Sequence, residues 1–252
     1  MADVETLALA AAAGLVGGAM NALAGGGTFA TMPMLLGIGT PANIANATSN
    51  LALMPGAGAS AWSFRSELKP VGGLPVRVLA GITFVAGLVG SALLVATPSA
   101  AFDVIVPWLL LVAFVAILFG RQGAAWLSGR VTIGPRTLVV CQALLGTYGG
   151  YFGGGVGIMT TATYGLLAGE TPRSMFAPRT LMLAIANFAA ALVFVACGMI
   201  RWDACLPMLA GGVLGGWSGA LIGRKLPAGL IRGWTLMLTT VTTAVFFWRG
   251  YM

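Results

Sequence analysis

Five stretches of this 252-residue chain, 74–96, 104–120, 181–199, 205–223 and 234–248, are almost wholly apolar. Such runs reach or approach the length that crosses the hydrocarbon core of a bilayer, about 17–25 residues of helix. Composition leaves no other solvent for them. Hydrophobic residues make up 58% of the chain and charged residues only 8%, whereas a soluble domain carries roughly 25% charged residues to solvate its surface. The outer surface must face lipid, and the fold class that follows is an all-α integral membrane protein.

The net charge of +7 invites a comparison with nucleic-acid binders. That reading fails, because the basic residues form no stripe with interleaved aromatics. They lie between the hydrophobic runs, as loop charges do in membrane proteins. The start of the chain carries the acids Asp3 and Glu5 rather than a basic stretch, so no signal peptide is expected and the first hydrophobic run is read as a retained span. Cys141, Cys197 and Cys205 lie in or beside apolar runs at no metal-like spacing and are read as small core residues. Histidine is absent, which removes the commonest proton shuttle and metal ligand. No metal, cofactor or nucleic-acid partner is expected.

The chain repeats itself. GLVGGAMNALAGGGTFATMPMLLGIGTP begins at Gly14, and LLGTYGGYFGGGVGIMTTATYGLLAGETP begins at Leu144. Each has a Gly-dense approach, a GGG triplet, a short apolar run and a Thr-Pro pair, and each continues with three longer apolar segments. Residues 1–120 are read as the first transmembrane repeat, 121–136 as a polar cytoplasmic linker and 137–252 as the second repeat. Each half then holds five segments, two of them in a Gly-broken hairpin. Since 28–38 and 156–168 are short for a span at 1.5 Å per residue, these hairpins either re-enter or cross as short helices.

Five is odd, so the halves should be inverted relative to one another, and loop charge tests this independently. With the N-terminus outside, the loops holding Arg65, Lys69 and Arg77, then Arg121, Arg130 and Arg136, then Arg173 and Arg179, then Arg224, Lys225 and Arg232 fall inside. Only Arg201 and Arg249 fall outside. Eleven of thirteen basic residues on one face is what the positive-inside rule requires. Both termini are therefore expected to be extracytoplasmic.

Three consecutive glycines in a hydrophobic hairpin break the helix and strip backbone amides of intrahelical partners. In lipid such groups must be satisfied by protein or line a wet cavity. Inverted-repeat transporters place their site at such breaks, with half-helix N-termini aimed at anions. Close packing through small residues accounts for any single glycine, but matched triplets in two halves favour a site. After the first hairpin, Asn46, Ser49 and Asn50 share one helix face. That polar face either glues helices or lines a path. At the matching place in the second half stand Arg179 and Asn187. Arg179 either snorkels to the inner surface or meets a ligand, and its planar fork suits sulfonate, sulfite or carboxylate oxygens. The candidate substrate-binding set is Asn21, Gly26, Gly27, Thr28, Asn46, Ser49, Asn50, Gly154, Gly155, Arg179 and Asn187.

No carboxylate lies deep in a span: Glu67, Asp103, Glu170 and Asp203 all sit at or between segment ends. A monovalent anion needs no proton relay to leave the cell, because an inside-negative potential drives it outward by about 2.3 kcal/mol per charge per 100 mV.

The run AGGGTFATMPMLLGIGTPANIANATSN from Ala24 to Asn50 resembles the TauE/SafE, or TSUP, sulfite-exporter family of membrane transporters. So does GGYFGGGVGIM from Gly149 to Met159 with Arg179 and Asn187 after it. The similarity covers essentially the whole chain. It implies export of sulfite, sulfoacetate or another organosulfonate across a bacterial-type inner membrane. The family's second half usually carries an Asn-x-x-Lys element before a helix Asn. Here Arg179 keeps the charge of the Lys place, while Phe176 replaces the Asn and Pro178 intervenes. The resemblance therefore carries over the cation as an anion contact, and not the Asn.

An anion channel or an uptake carrier for a small carboxylate is the alternative within transport. A membrane assembly subunit would also use Gly-rich helices. An enzyme has little to work with, lacking His, a Ser nucleophile elbow and a GK[ST] phosphate loop. Gly211, Gly212, Gly215, Gly216 and Gly219, read as lying on outer faces, would permit a homodimer and serve intramolecular packing equally well. In a cysteine-free background, Ser66→Cys and Gly129→Cys are expected to react with an impermeant thiol reagent from the same, cytoplasmic, side. Labelling from opposite sides would break the topology.

Overall fold

In lipid the backbone must satisfy its own hydrogen bonds within each segment, and the apolar runs accordingly fold as helices. The computed structural model describes residues 4–127, 134–168, 174–223 and 226–251. Among them are ten α-helices: α1 (Val4–Leu23), α2 (Thr28–Gly37), α3 (Ala42–Ser63), α4 (Val76–Ala96), α5 (Ser99–Leu127), α6 (Pro135–Tyr151), α7 (Val156–Ala168), α8 (Phe176–Ala196), α9 (Trp202–Gly223) and α10 (Ala228–Tyr251). Strand structure among the described residues is limited to the isolated bridge between Val71 and Leu74. Five stretches are long and apolar enough to cross a membrane: Val4–Leu23, Val76–Ala96, Ser99–Ala116, Phe176–Ala196 and Trp202–Gly223. The 10-residue α2 and 13-residue α7 rise only about 15 and 20 Å. Large apolar side chains such as Val85, Val89, Leu93, Leu214 and Val245 point outward, and Trp62, Trp202 and Trp248 are exposed near helix ends, where amphipathic rings suit the headgroup level.

Both ends of the stretch taken as the linker differ from the sequence reading, and α6 already begins at Pro135. Helix α5 runs on to Leu127, seven residues into the stretch taken as the linker. Its continuation, RQGAAWL, is mostly of good helix formers, and a helix leaving the apolar layer needs no further apolar residues to persist. The expectations for Met1 to Asp3, for position 129 and for Arg130, Glu170, Arg173, Arg224 and Lys225 fall outside the described residues.

Helices that pack in lipid gain little from hiding apolar surface, so close van der Waals contact between small residues holds them. Two glycine seams do this here. Along α1 and α9, a Cβ at Gly14 would collide with the Met208 carbonyl, one at Gly18 with the Gly212 carbonyl, and one at Gly215 with the Leu15 carbonyl. Along α4 and α6, Gly146 abuts Thr83, Gly150 abuts Gly87, and Gly90 abuts the Thr147 carbonyl and the Tyr151 amide. In both seams the contacts advance together along the two chains, so each pair runs parallel.

The other pairings follow suit. Helix α3 runs parallel to α9, with Thr48 at Arg201 and Gly56 at Gly212 and Gly216. Helix α4 runs parallel to α8, with Thr83 at Met182 and Gly87 at Ala186 and Ala189. Helices α3 and α8 run antiparallel, meeting at Asn50 and Asn187 near their middles, with Phe64 against Phe176 at one end. Exchanging the first five helices for the second five maps several of these pairings on one another: α1–α9 becomes α6–α4, α3–α9 becomes α8–α4, and α5–α7 becomes α10–α2, while among the described residues the α3–α5 pairing has no equal in α8–α10.

The seam corrects the reading of Gly211, Gly212, Gly215, Gly216 and Gly219. They are buried against α1 and α3, inside the molecule. Of the cysteines, Cys205 is buried as expected, while Cys197 is exposed at the end of α8. Gly215→Ala should lower the thermal unfolding temperature of the detergent-purified protein, at a cost of about 1–3 kcal/mol for overpacking the seam. Gly81→Ala, with open space around it on α4, should leave stability unchanged or raise it by up to about 1 kcal/mol.

Candidate anion-binding site

The two triplets build the same local structure. At the end of α1 the N–H groups of Ala24 and Gly25 both return to the Met20 carbonyl, at 2.8 and 3.0 Å. At the end of α6 those of Phe152 and Gly153 both return to the Tyr148 carbonyl, at 2.9 and 3.3 Å. Gly25 and Gly153 hold φ of 82° and 77°, the left-handed turn that ends a helix and that only glycine adopts without strain. The chain then restarts as α2 and α7. The breaks touch: a Cβ at Gly25 would lie 2.5 Å from the Cα of Gly157, and one at Gly157 would lie 2.8 Å from the Cα of Gly25. The Phe29 ring fills the space beside them, facing Gly26, Gly154 and Gly155. Thr242 of α10 donates to the Phe29 carbonyl at 3.1 Å and ties α10 to this junction.

The sequence-derived residues divide among three places. In the first, Asn21 Oδ1 accepts from the Gly27 N–H at 2.8 Å and so caps α2 from the preceding helix. Thr31 donates to the Gly27 carbonyl at 3.3 Å and shares a hydrogen bond with Ser49. Thr28 is buried beside them. This cluster belongs to the first half alone.

The second lies between the halves. Asn46 Nδ2 donates to the Tyr151 carbonyl at 3.0 Å, closing the last turn of α6. Asn50 Nδ2 donates to Asn187 Oδ1 at 3.4 Å. Gly153 lies against both, since its missing Cβ would sit 3.2 Å from Asn50 Nδ2 and 3.8 Å from Asn187 Oδ1. Asn46 and Asn50 thus face the other half, whereas Ser49 faces α2. The single polar face read from the sequence serves two partners. Gly154 takes part through its carbonyl, which accepts from the Tyr148 hydroxyl at 2.8 Å.

The third is Arg179, which is 7% exposed and does not snorkel. Its NH2 group donates to the carbonyls of Ala22 and Leu23 at 3.2 and 3.4 Å, at the end of α1. Its guanidinium stacks over the Phe176 ring at 4.3 Å. Cations are favoured at helix C-termini, so this is a charged cap on the first break. Its Nε is buried without a partner, and among the described residues no carboxylate accepts from it. Arg179 precedes Asn187 by eight residues, about 12 Å along α8. The structure therefore gathers Asn46, Asn50 and Asn187 at the second break and places Arg179 at the first.

Three further features escaped the sequence reading. Buried Gln142 donates to Thr83 at 2.7 Å and accepts from the Tyr164 hydroxyl at 2.8 Å, joining α4, α6 and α7. Tyr148 reaches both Gly154 and, at 3.1 Å, the Leu109 carbonyl of α5. Arg201, taken only as a loop charge, pairs with Asp203 and donates to the Ile38 carbonyl and Thr40 Oγ1 at 3.0 and 2.8 Å, clamping the α2–α3 corner. A lone Gln in an apolar run was a readable signal of the first. The other two depend on long-range contact.

The sequence matches the family described as "Sulfite exporter TauE/SafE" over residues 10–246. It is 28% identical to a probable membrane transporter protein of Haemophilus influenzae over 250 residues, covering 96% of this chain and 94% of that protein. It is 26% identical to the probable membrane transporter protein YfcA of Escherichia coli K12, covering 94% and 88%. It is 27% identical to the probable membrane transporter protein ORF9 of a Sinorhizobium species, covering 95% and 91%. No solved structure matches it. Replacing the capping Asn21 by Ala should destabilise the protein by about 1 kcal/mol, read as a lowered unfolding temperature, with Asn21→Asp losing less than Asn21→Ala.

Proposed function

Because the chain belongs to the sulfite exporter TauE/SafE family of membrane transporters, we propose that it exports a small sulfur-containing anion, such as sulfite, sulfoacetate or another organosulfonate, across the cell inner membrane. The observation that carries this reading is Arg179. A buried guanidinium is costly inside a membrane unless its charge and its donors are met. Here the NH2 edge is met by two neutral carbonyls, and the Nε donor is left open. An oxyanion approaching that edge supplies the missing acceptor and the missing charge together, and tetrahedral or pyramidal sulfur oxyanions fit the planar fork.

The transport mode is alternating access between two inverted halves. Supporting this, α3 and α8, which correspond in the two halves, run in opposite directions, and several helix pairings recur when the halves are exchanged. Antiparallel repeats can rock about a shared centre and open to either side in turn. The Phe29 ring and the touching breaks lie between the halves. Among the described residues no carboxylate is buried to relay protons, and membrane potential is the driving force for a monovalent anion. Both termini lie outside in this scheme.

In proteoliposomes, efflux of sulfite or sulfoacetate should saturate, show counterflow and follow an imposed voltage. Arg179→Ala should reduce it by about 10–100-fold, the value of one charge-assisted hydrogen bond or a little more, and Arg179→Lys should fall between. A flux that demands a pH gradient and ignores voltage would overturn the driving force. An Arg179→Ala protein that folds and transports normally would overturn the site, and conductance without saturation would mark a channel.

A further inference from the structure

The two broken helix ends are capped by side chains from the opposite half, and the caps differ in charge. At the end of α1 the carbonyls of Ala22 and Leu23 receive the cation of Arg179. At the end of α6 the Tyr151 carbonyl receives the neutral amide of Asn46. Both ends carry the negative pole of a helix, and only one is met by a positive charge.

Oxygen atoms accumulate where the charge is missing. Asn46 Oδ1 and Asn50 Oδ1 are buried and have no hydrogen-bond partner, and they belong to residues one helical turn apart on α3, the first reaching the Tyr151 carbonyl at the end of α6 and the second Asn187 of α8. The Asn46 amide cannot be turned to relieve this, because its nitrogen already donates to a carbonyl, which accepts only. In the Asn50–Asn187 pair one oxygen accepts the shared hydrogen bond, and turning both amides merely exchanges which oxygen is left over. The Gly149 carbonyl loses its regular helical donor as well, since the Gly153 N–H reaches back to Tyr148 instead. The space left by the absent side chain of Gly153 is bordered by this carbonyl, Asn187 Oδ1 and the amide nitrogen of Asn50, at 3.5, 3.8 and 3.2 Å from the place a Cβ would take, so the Asn50 amide enters it nitrogen first and carries its free oxygen beside it.

We infer that this junction of α3, α6 and α8 binds a small monovalent cation, Na+, through Asn46 Oδ1, Asn50 Oδ1 and the freed Gly149 carbonyl at the end of α6. Hard cations take carbonyl and amide oxygens. Among the described residues the junction contains no carboxylate, which argues against a divalent ion and for a weakly held single charge. Half-helix C-termini and unwound carbonyls are suited to that role inside a bilayer. The bound ion does at the second break what the guanidinium of Arg179 does at the first.

The test is thermal unfolding of the purified full-length protein in NaCl against choline chloride, at constant ionic strength and chloride, with 22Na+ binding measured in parallel. Na+ should raise Tm saturably, by roughly 3–5 °C at ~10 times its Kd. Asn46→Ala and Asn50→Ala should abolish both the shift and the binding. Arg179→Ala should keep them while losing any shift produced by sulfite or sulfoacetate, so this inference and the anion reading fail separately. Identical curves in the two salts with no 22Na+ bound by the wild-type protein would overturn the site, whether or not the variants fold. So would folded Asn46→Ala and Asn50→Ala proteins that retain the full Na+ shift.

Discussion

Hydrogen bonding at two interrupted helices is the constraint on which the rest of the structure depends. A helix end inside an apolar layer exposes carbonyls and amides that water cannot reach, and each costs several kcal/mol if unmet. Here each half of the chain supplies what the other lacks. Asn46 of α3 closes α6, and Arg179 of α8 closes α1. Neither half has its own broken end completed without the other, so the polar chemistry of the breaks also fastens the halves together.

That fastening works only if the backbones approach closely, and this is the task of the glycine seams. On α1 and α9, and again on α4 and α6, glycines let carbonyls of one helix lie where a methyl group of the other would be. The seams are interior and parallel, and they set the levels at which Asn50 meets Asn187 and Gly25 meets Gly157. A chain rich in glycine is thus not a flexible one. The glycines of the seams fix the distance between rigid rods, and others, Gly25 and Gly153 among them, turn the chain.

Charge is distributed just as sparingly. Arg179 and Arg201 both reach helix-end carbonyls, the first at α1 and the second at α2, and only the second has a carboxylate beside it among the described residues. Buried polarity is otherwise carried by neutral groups: the Gln142–Thr83–Tyr164 chain, the Asn50–Asn187 pair and the Tyr148 hydroxyl. Such groups orient and hold helices at modest cost, because each can be satisfied by one well-placed partner.

The sequence by itself determined the apolar surroundings, the all-α class with about ten segments, the matching of the two triplets and the family. Those properties are local or compositional: apolar run length, glycine spacing and residue order survive in a one-dimensional string. Tertiary structure alone decided which polar residue meets which. Ser49 and Asn50 are neighbours on one helix, yet they serve α2 and α8 respectively. Arg179 reaches the end of a helix more than 150 positions earlier in the chain, and Gly211 to Gly219 turn inward rather than out. The reason is physical: every helix in lipid looks apolar around most of its circumference, so its sequence shows that a face is small or polar without showing which neighbour will cover it.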